Sequence, residues 1–246
     1  MKLMVLDGNS IANRAFYGVR LLNTKDGVFT NAIFGFLNIL DKLKAEEKPD
    51  ALCVTFDMKA PTFRHKEYDG YKAQRKKMPE ELSMQMPILR DVLNAMHIPY
   101  YETEGYEADD IIGTISEVCN KRGWECLIVT GDKDSFQLIT ENAHVLHVKT
   151  VKGVTETTDY TVETFVNEYG FLPPKMVDLK ALMGDTSDNI PGIAGVGPKT
   201  ASDLIKKFGS LDGVYENIDS KDIKDTLRKK LTDGRDAAYM SYHLAT

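Results

Sequence analysis

Cys126-Leu127-Ile128-Val129-Thr130-Gly131-Asp132-Lys133-Asp134 is an apolar, β-branched run that stops on two carboxylates. The same construction occurs twice more, in Leu3-Met4-Val5-Leu6-Asp7 and in Ala51-Leu52-Cys53-Val54-Thr55-Phe56-Asp57. Short apolar runs separated by helix-length segments read as buried parallel strands. Open α/β sheets place their active sites at the carboxyl ends of such strands. Three acids delivered to one edge, with no obvious cation beside them, ask for a metal.

The rest of the chain is consistent with one α/β domain, or one plus a small appendage, in 246 residues. Hydrophobic residues make up 42%, enough for a sizeable core, and the formal net charge of −6 argues at first against a nucleic-acid partner. Cys53, Cys119 and Cys126 are odd in number and lack CxxC spacing, as in a reduced cytoplasmic protein with buried thiols. An acid at position 7 comes too early for the apolar part of a signal peptide. No run approaches the length of a membrane span.

Along the chain, Ile33, Phe36, Leu37, Leu40 and Leu43 mark a helix over 31–47, broken at Pro49-Asp50. Helices are also expected over 80–96, 107–121, 161–169 and 174–183, with a short strand over 98–102. Strands over 144–149 and 154–157 flank Lys152-Gly153, a hairpin signal. The expected fold is α/β: a mostly parallel sheet flanked by helices over 1–183, then a helical region over 184–246.

Two further acidic groups stand at element ends. Glu107, Asp109 and Asp110 open a helix, where the dipole alone would favour acids. Asp185 and Asp188 follow a helix and also suit an Asx-turn or cap. Joined to Asp7, Asp57, Asp132 and Asp134 they make nine carboxylates that one edge would gather. Left unneutralised they would repel and raise one another's pKa values. An all-oxygen donor set suits Mg²⁺ or Mn²⁺, and the lack of a His/Cys pattern argues against zinc. Two such ions roughly 3.5–4 Å apart suit phosphodiester cleavage. Without those nine acids the formal charge moves from −6 to +3, which weakens the objection to a polyanion.

Residues 59–79 carry Lys59, Arg64, Lys66, Lys72, Arg75, Lys76 and Lys77 against Glu67 and Asp69, with Phe63, Tyr68 and Tyr71 interleaved. No apolar period runs through it, so it reads as a long, partly helical excursion over the sheet edge, with Lys72 and Arg75 three apart on one helical face. A plain solvated loop is the alternative. Basic residues neutralise phosphates and aromatic rings stack on unpaired bases. Further on, Ile190-Pro191-Gly192-Ile193-Ala194-Gly195-Val196-Gly197-Pro198-Lys199-Thr200-Ala201 puts three glycines before a helix. Backbone N–H groups there would grip phosphates, unless the glycines serve only a helix–helix turn.

These strings together resemble the 5′ nuclease family, which includes flap endonucleases and the N-terminal domain of bacterial DNA polymerase I. The resemblance covers essentially the whole chain. It rests on Val5-Leu6-Asp7-Gly8-Asn9-Ser10, Phe56-Asp57, Thr62-Phe63-Arg64, Tyr71-Lys72-Ala73-Gln74-Arg75, Gly105-Tyr106-Glu107-Ala108-Asp109-Asp110, Thr130-Gly131-Asp132-Lys133-Asp134, the run from Leu182 to Gly192, and Gly195-Val196-Gly197. It implies a PIN-like, resolvase-like core with a helical arch over 59–79, and a helix–two-turn–helix at about 190–209. It implies a first metal group of Asp7, Asp57, Glu107, Asp109 and Asp110, and a second of Asp132, Asp134, Asp185 and Asp188. Lys72 and Arg75 match the arch residues that reach the scissile phosphate. Arg64 and Tyr71 match residues near the substrate's 5′ portion, and Lys76 and Lys77 of the basic run are taken as DNA-binding beside them. Gly192, Gly195, Gly197, Lys199 and Thr200 match the element that grips duplex backbone and often holds K⁺. The implied protein is a cytoplasmic, monomeric nuclease acting on DNA with a 5′ flap or end. The closing Tyr239–Thr246 string resembles a junction to a polymerase, with a stand-alone nuclease as the alternative. Three rivals remain: a non-catalytic DNA-junction binder, a PIN-type ribonuclease, and a haloacid-dehalogenase-type phosphatase, which expects an acid where this chain has Asn9.

Overall fold

The computed structural model describes residues 1–151 and 154–246. By its contacts the chain forms two compact units, residues 1–62 with 77–161, and residues 63–76 with 162–246. This division differs from the boundary expected at 183/184, because the helix that carries residues 175–183 packs on later helices.

In chain order the elements run β1 (Lys2–Asp7), α1 (Gly8–Gly18), α2 (Asn31–Glu47), β2 (Ala51–Thr55), α3 (Phe63–Glu67), α4 (Glu80–Ala95), β3 (Tyr100–Tyr101), α5 (Ala108–Arg122), β4 (Glu125–Thr130), β5 (Ala143–Val151) and β6 (Val154–Tyr160). Six helices follow: α6 (Val162–Tyr169), α7 (Lys175–Met183), α8 (Pro198–Phe208), α9 (Leu211–Glu216), α10 (Asp225–Asp233) and α11 (Arg235–Ala245). The strands expected on either side of Lys152-Gly153 pair antiparallel as β5 and β6. The turn residues themselves lie outside the described residues.

The first unit is the sheet unit, with strand order β3-β2-β1-β4-β5-β6. β3 to β5 along that order are parallel, and only β6 runs antiparallel. Chain order reverses between β1 and β4, so the carboxyl ends of those two strands flank the switch point at which ligands of doubly wound sheets bind. Met4, Leu6, Val54, Leu127, Val129, Leu146 and Val148 point to one face and share a core with α1, α2 and α4. Alternation sends Val5, Cys53, Ile128 and Val145 to the opposite face. α5, the crossover from β3 to β4, packs on β1, β2, β4 and β5. Helices on both faces explain why the strands read as continuous apolar runs with no polar alternation.

The sequence periodicity does not single out α1. It is short, and Gly8, Asn9, Ser10 and Asn13 are poor helix formers. Tertiary packing supplies what propensity lacks: Ile11, Ala12 and Ala15 are buried, and Gly8 lies so close to the Phe56 ring that a Cβ there would collide with it. The N-terminus of α2 is satisfied at long range. Thr30 makes no side-chain cap. Instead Gln85 of α4 accepts from the Ala32 and Ile33 amides (2.8 and 3.3 Å) and donates to Asn31 Oδ1 (3.0 Å). Gln85 is buried, so its loss would leave these groups without water. Gln85→Leu is therefore expected to cost about 2–4 kcal/mol, read as a lower urea midpoint at unchanged slope.

The helical unit has its own core. Leu179 and Leu182 of α7, Ala201, Leu204 and Ile205 of α8, Val214 of α9, Leu231 of α10 and Leu244 of α11 are buried. α7 packs on α8, α9 and α11. Ser210 caps α9 through the Gly213 amide (3.0 Å), and buried Asp178 takes the Leu211 N–H (2.7 Å).

Candidate active site

Asp7 ends the middle strand and is only 6% exposed. Its Oδ1 accepts the Ser10 amide (2.9 Å), which caps α1, and its Oδ2 accepts the Thr130 hydroxyl from the end of β4 (2.9 Å). Burial pushes its carboxyl up to about 6; the Ser10 amide opposes this, and the charges of Asp57 and Asp132 add to it. At about 1.4 kcal/mol per tenfold, the ionised form costs roughly 3 kcal/mol against an ordinary aspartate.

The neighbouring acids are set by backbone contacts that residue spacing does not reveal. Asn9 Oδ1 takes the Asp57 amide (3.1 Å), and Asp57 Oδ1 takes the Ala108 amide at the start of α5 (2.8 Å). That helix terminus favours a negative charge. Asp110 Oδ2 accepts the Glu107 N–H (2.8 Å), so Asp110 serves as part of a capping box. At β4, Thr130 Oγ1 accepts the Asp132 amide (3.0 Å) and Asp132 Oδ1 accepts the Asp134 amide (3.1 Å). Gly131 is held on both sides. Its N–H donates to Ser10 Oγ (2.9 Å), and its carbonyl accepts from Arg14 Nη2 (2.5 Å) and meets His147 Nε2 (3.2 Å). Arg14 and His147 carry no signal in the sequence, and Asn9, Ser10 and Thr130 stand only inside the strings of the resemblance, with no role of their own. Only the polar ending of Asn9-Ser10 after a strand-end acid could have drawn attention to them.

The sheet unit thus brings Asp57 and Asp132 within electrostatic reach of Asp7, with Glu107, Asp109, Asp110 and Asp134 on the same strand-end loops and helix start. Among the described residues, no group of three or more His, Cys, Asp or Glu is arranged to hold a metal ion as it stands. The donor chemistry still fits a hard cation. All the donors are carboxylate oxygens, and the buried Asp7 charge lacks a counter-charge among its named neighbours. Mg²⁺ retains several waters and needs only one or two carboxylates, so it does not require a finished cage.

In the helical unit the acids are already paired with cations. Asp185 receives Lys180 Nζ at 2.8 Å. Burial would raise its pKa, but the Lys180 charge and the Ser187 hydrogen bonds bring it to about 2. Asp188 is buried and meets Arg75 Nη2 (2.6 Å), Lys72 Nζ (3.7 Å) and the Tyr71 hydroxyl (3.2 Å). Lys72 and Arg75 converge through a turn, not along a helical face. Lys72 has φ +54°, its amide donates to the Asp188 carbonyl (2.9 Å), and the Arg75 amide donates to the Lys72 carbonyl (3.0 Å). Only α3 within 63–76 is helical, and that segment groups with the helical unit. Arg64 is buried, with its guanidinium donating to the carbonyls of Leu244 (3.0 Å) and Thr246 (2.8 Å). Lys76 and Lys77 are exposed.

The glycine segment is tightly folded at its start. Asp185 and Ile190 exchange two backbone hydrogen bonds of 2.8 Å. Gly192 has φ +59°, and a Cβ there would run into the backbone of Met183 and Gly184. Gly197 and Pro198 begin α8 with no side-chain cap, beside exposed Lys199 and half-buried Thr200. The Gly195 carbonyl accepts Lys230 Nζ (3.1 Å).

A doubly wound sheet with a buried acid at its switch point and further acids on the adjoining loops is the framework of a metal-dependent hydrolase. Residues 2–170 match the family of the 5′-3′ exonuclease N-terminal resolvase-like domain, and residues 171–246 match the 5′-3′ exonuclease C-terminal SAM fold. The chain belongs to the 5′–3′ exonuclease family. It is 47% identical over 245 residues to DNA polymerase I of Bacillus subtilis, matching 100% of this chain and 28% of that protein. To DNA polymerase I of Caldicellulosiruptor bescii it is 44% identical over 246 residues, matching 100% of this chain and 29% of that protein. The chain therefore spans less than a third of the length of these relatives. Among solved structures, the T5 D15 protein co-crystallised with metal ions matches with a TM-score of 0.79 at 20% identity, covering 100% of this chain and 89% of that one. The catalytic core of Rad2 in complex with DNA substrate gives 0.60 at 18% identity, covering 100% and 78%. At these identities the likeness is one of fold.

Asp7→Asn tests the electrostatic reading. It removes a charge that burial penalises while keeping an oxygen to cap α1. In metal-free protein near pH 7.5 the variant should melt several degrees higher, given roughly 2–4 °C per kcal/mol for a domain of this size. Millimolar Mg²⁺ should raise the melting temperature of the parent more than that of the variant. Differential scanning calorimetry reads both.

Proposed function

We propose that this chain is a metal-dependent, structure-specific 5′ nuclease that hydrolyses DNA phosphodiesters at 5′ flaps and 5′ ends during replication and repair. The observation that carries the reading is Asp7, buried at the switch point with Asp57 and Asp132 as charged neighbours, in a chain of the 5′–3′ exonuclease family. Asp7, Asp57, Glu107, Asp109 and Asp110 are the proposed ligands of a first metal group. Asp132, Asp134, Asp185 and Asp188 are those of a second. Mg²⁺, or Mn²⁺, when bound would lower the pKa of a water and offset charge on the leaving oxygen. K⁺ at the glycine segment rests on the resemblance alone; the Gly195 carbonyl accepts Lys230 Nζ.

The chain's own residues bind and orient. Thr130 and Ser10 fix the oxygens of Asp7, and the N-terminus of α5 fixes Asp57. Lys72 and Arg75 supply the charge that meets the scissile phosphate, and both are exchangeable because Asp188 is their present partner. The stretch with Arg64, Tyr71, Lys76 and Lys77 meets the unpaired 5′ strand, with Lys76 and Lys77 as its exposed cations and buried Arg64 and Tyr71 acting indirectly by shaping it. Gly192, Gly195, Gly197, Lys199 and Thr200 hold duplex backbone at the start of α8, where amides and helix dipole favour phosphate.

The match to DNA polymerase I relatives supports a protein in which a polymerase accompanies this chain. Three free, buried cysteines suit a reduced, cytoplasmic setting. Among the described residues no helix is long and apolar enough to cross a membrane. A monomer is proposed as the working state.

Incubating the protein with a 5′-flap duplex in Mg²⁺, and again with EDTA, tests the reading. Cleavage is expected only with the metal, and equal cleavage in both conditions or none in either rejects it. Asp132→Ala should abolish cleavage while DNA binding, read by fluorescence anisotropy, stays largely intact. Lys72→Ala should slow cleavage about 10²–10³-fold, the loss typical of one group that stabilises transition-state charge. Binding without turnover would favour a junction-binding protein, and preference for RNA over flap DNA a PIN-type ribonuclease.

A further inference from the structure

The Gly131 carbonyl sits between Thr130, whose hydroxyl serves Asp7 and receives the Asp132 amide, and Asp132 itself. Its orientation therefore sets the direction in which β4 delivers Asp132 and Asp134. Two side chains reach that carbonyl, Arg14 from α1 (2.5 Å) and His147 from β5 (3.2 Å). A Cβ at Gly131 would meet Arg14 Nε, so a larger residue there would displace the Arg14 guanidinium.

His147 is 2% exposed, with its ring edge-on to Phe136 (5.5 Å between centroids) and Tyr160 (6.1 Å). A carbonyl only accepts, so the ring proton resides on Nε2. His147 Nδ1 is then a buried acceptor with no hydrogen-bond partner among the described residues. Burying a polar atom in this way is unfavourable, and an apolar residue of similar shape would avoid it. The one bond the ring makes to the backbone runs to Gly131. That bond is the physical reason to keep an imidazole in an aromatic pocket.

We infer that His147 is a positioning residue for the strand-end acids: its Nε2–H holds the Gly131 carbonyl and so orients Asp132 and Asp134. The inference rests on the proposed role of those two acids as metal ligands, but its first readout does not need metal or substrate.

That readout is hydrogen–deuterium exchange of the 130–134 amides in metal-free protein. His147→Gln places an amide N–H near the Nε2 position, His147→Asn withdraws it towards the Nδ1 position, and His147→Leu removes it. Leu and Asn should speed exchange over 130–134, with Gln close to the parent. The Mg²⁺ concentration giving half the thermal stabilisation should rise about tenfold for Leu and Asn, as for other groups that orient ligands, and less than about twofold for Gln. Flap cleavage should fall in the same order while DNA affinity in EDTA stays unchanged. If Leu does not fold, the contrast of Asn with Gln decides. Parent-like exchange in Asn, or Gln failing together with Asn, overturns the inference. An intact exchange pattern with no cleavage in any variant, parent included, would reject the nuclease reading and leave the positioning role standing.

Discussion

Asp7 is held where a carboxylate is least at ease, at the end of the middle strand with Asp57 and Asp132 as charged neighbours. Its two oxygens nonetheless tie three elements together, since one caps α1 and the other takes the Thr130 hydroxyl from β4. The charge cannot be moved without loosening the cap or the strand-end contact. The fold therefore carries a repulsion that a bound cation, or a proton on Asp7, would relieve. Proteins commonly place such local conflict at functional sites and offset it with a well-packed core; here that core includes fully buried Phe36, Phe56, Leu40 and Leu43.

Much of the sheet unit was legible in the sequence because strands buried on both faces leave uninterrupted apolar runs. The three runs ending in Asp7, Asp57 and Asp132 became β1, β2 and β4 in register, with Leu6 beside Val54 and Val129. The α2 helix spans the expected 31–47. What stayed hidden depends on contacts between residues distant in sequence. Gln85 serves amides more than fifty positions away. Arg64 reads as a residue near the substrate's 5′ portion, and nothing in the sequence shows its guanidinium on the carbonyls of Leu244 and Thr246. Lys72 and Arg75 have helical spacing, but the positive φ of Lys72 shows that a turn delivers them. For the same reason residue types alone revealed the acids and not their partners: Asn9, Ser10 and Thr130 are ordinary polar residues until the fold sets them against backbone amides.

The acids of the two units differ in electrostatic state. Asp7 in the sheet unit sits among like charges, with its pKa raised. Asp185 and Asp188 in the helical unit are neutralised in place by Lys180, Lys72 and Arg75, and Asp185 has its pKa lowered. One set lies among like charges; the other is already paired with protein cations.

The borders of the sheet have a different consequence. β3 contributes only two residues at one edge, and β6 closes the other edge running antiparallel, with Thr155, Glu156, Thr157, Thr158 and Asp159 along it. An edge strand that is very short or rich in charge is a poor template for a foreign strand. The interior strands Leu3–Leu6 and Cys126–Val129 are the sort of apolar, β-branched segments that stack into fibrils when uncovered. Their position in the middle of the sheet, with unattractive strands at both rims, leaves no apolar interior strand open to pairing with a foreign one in the folded state.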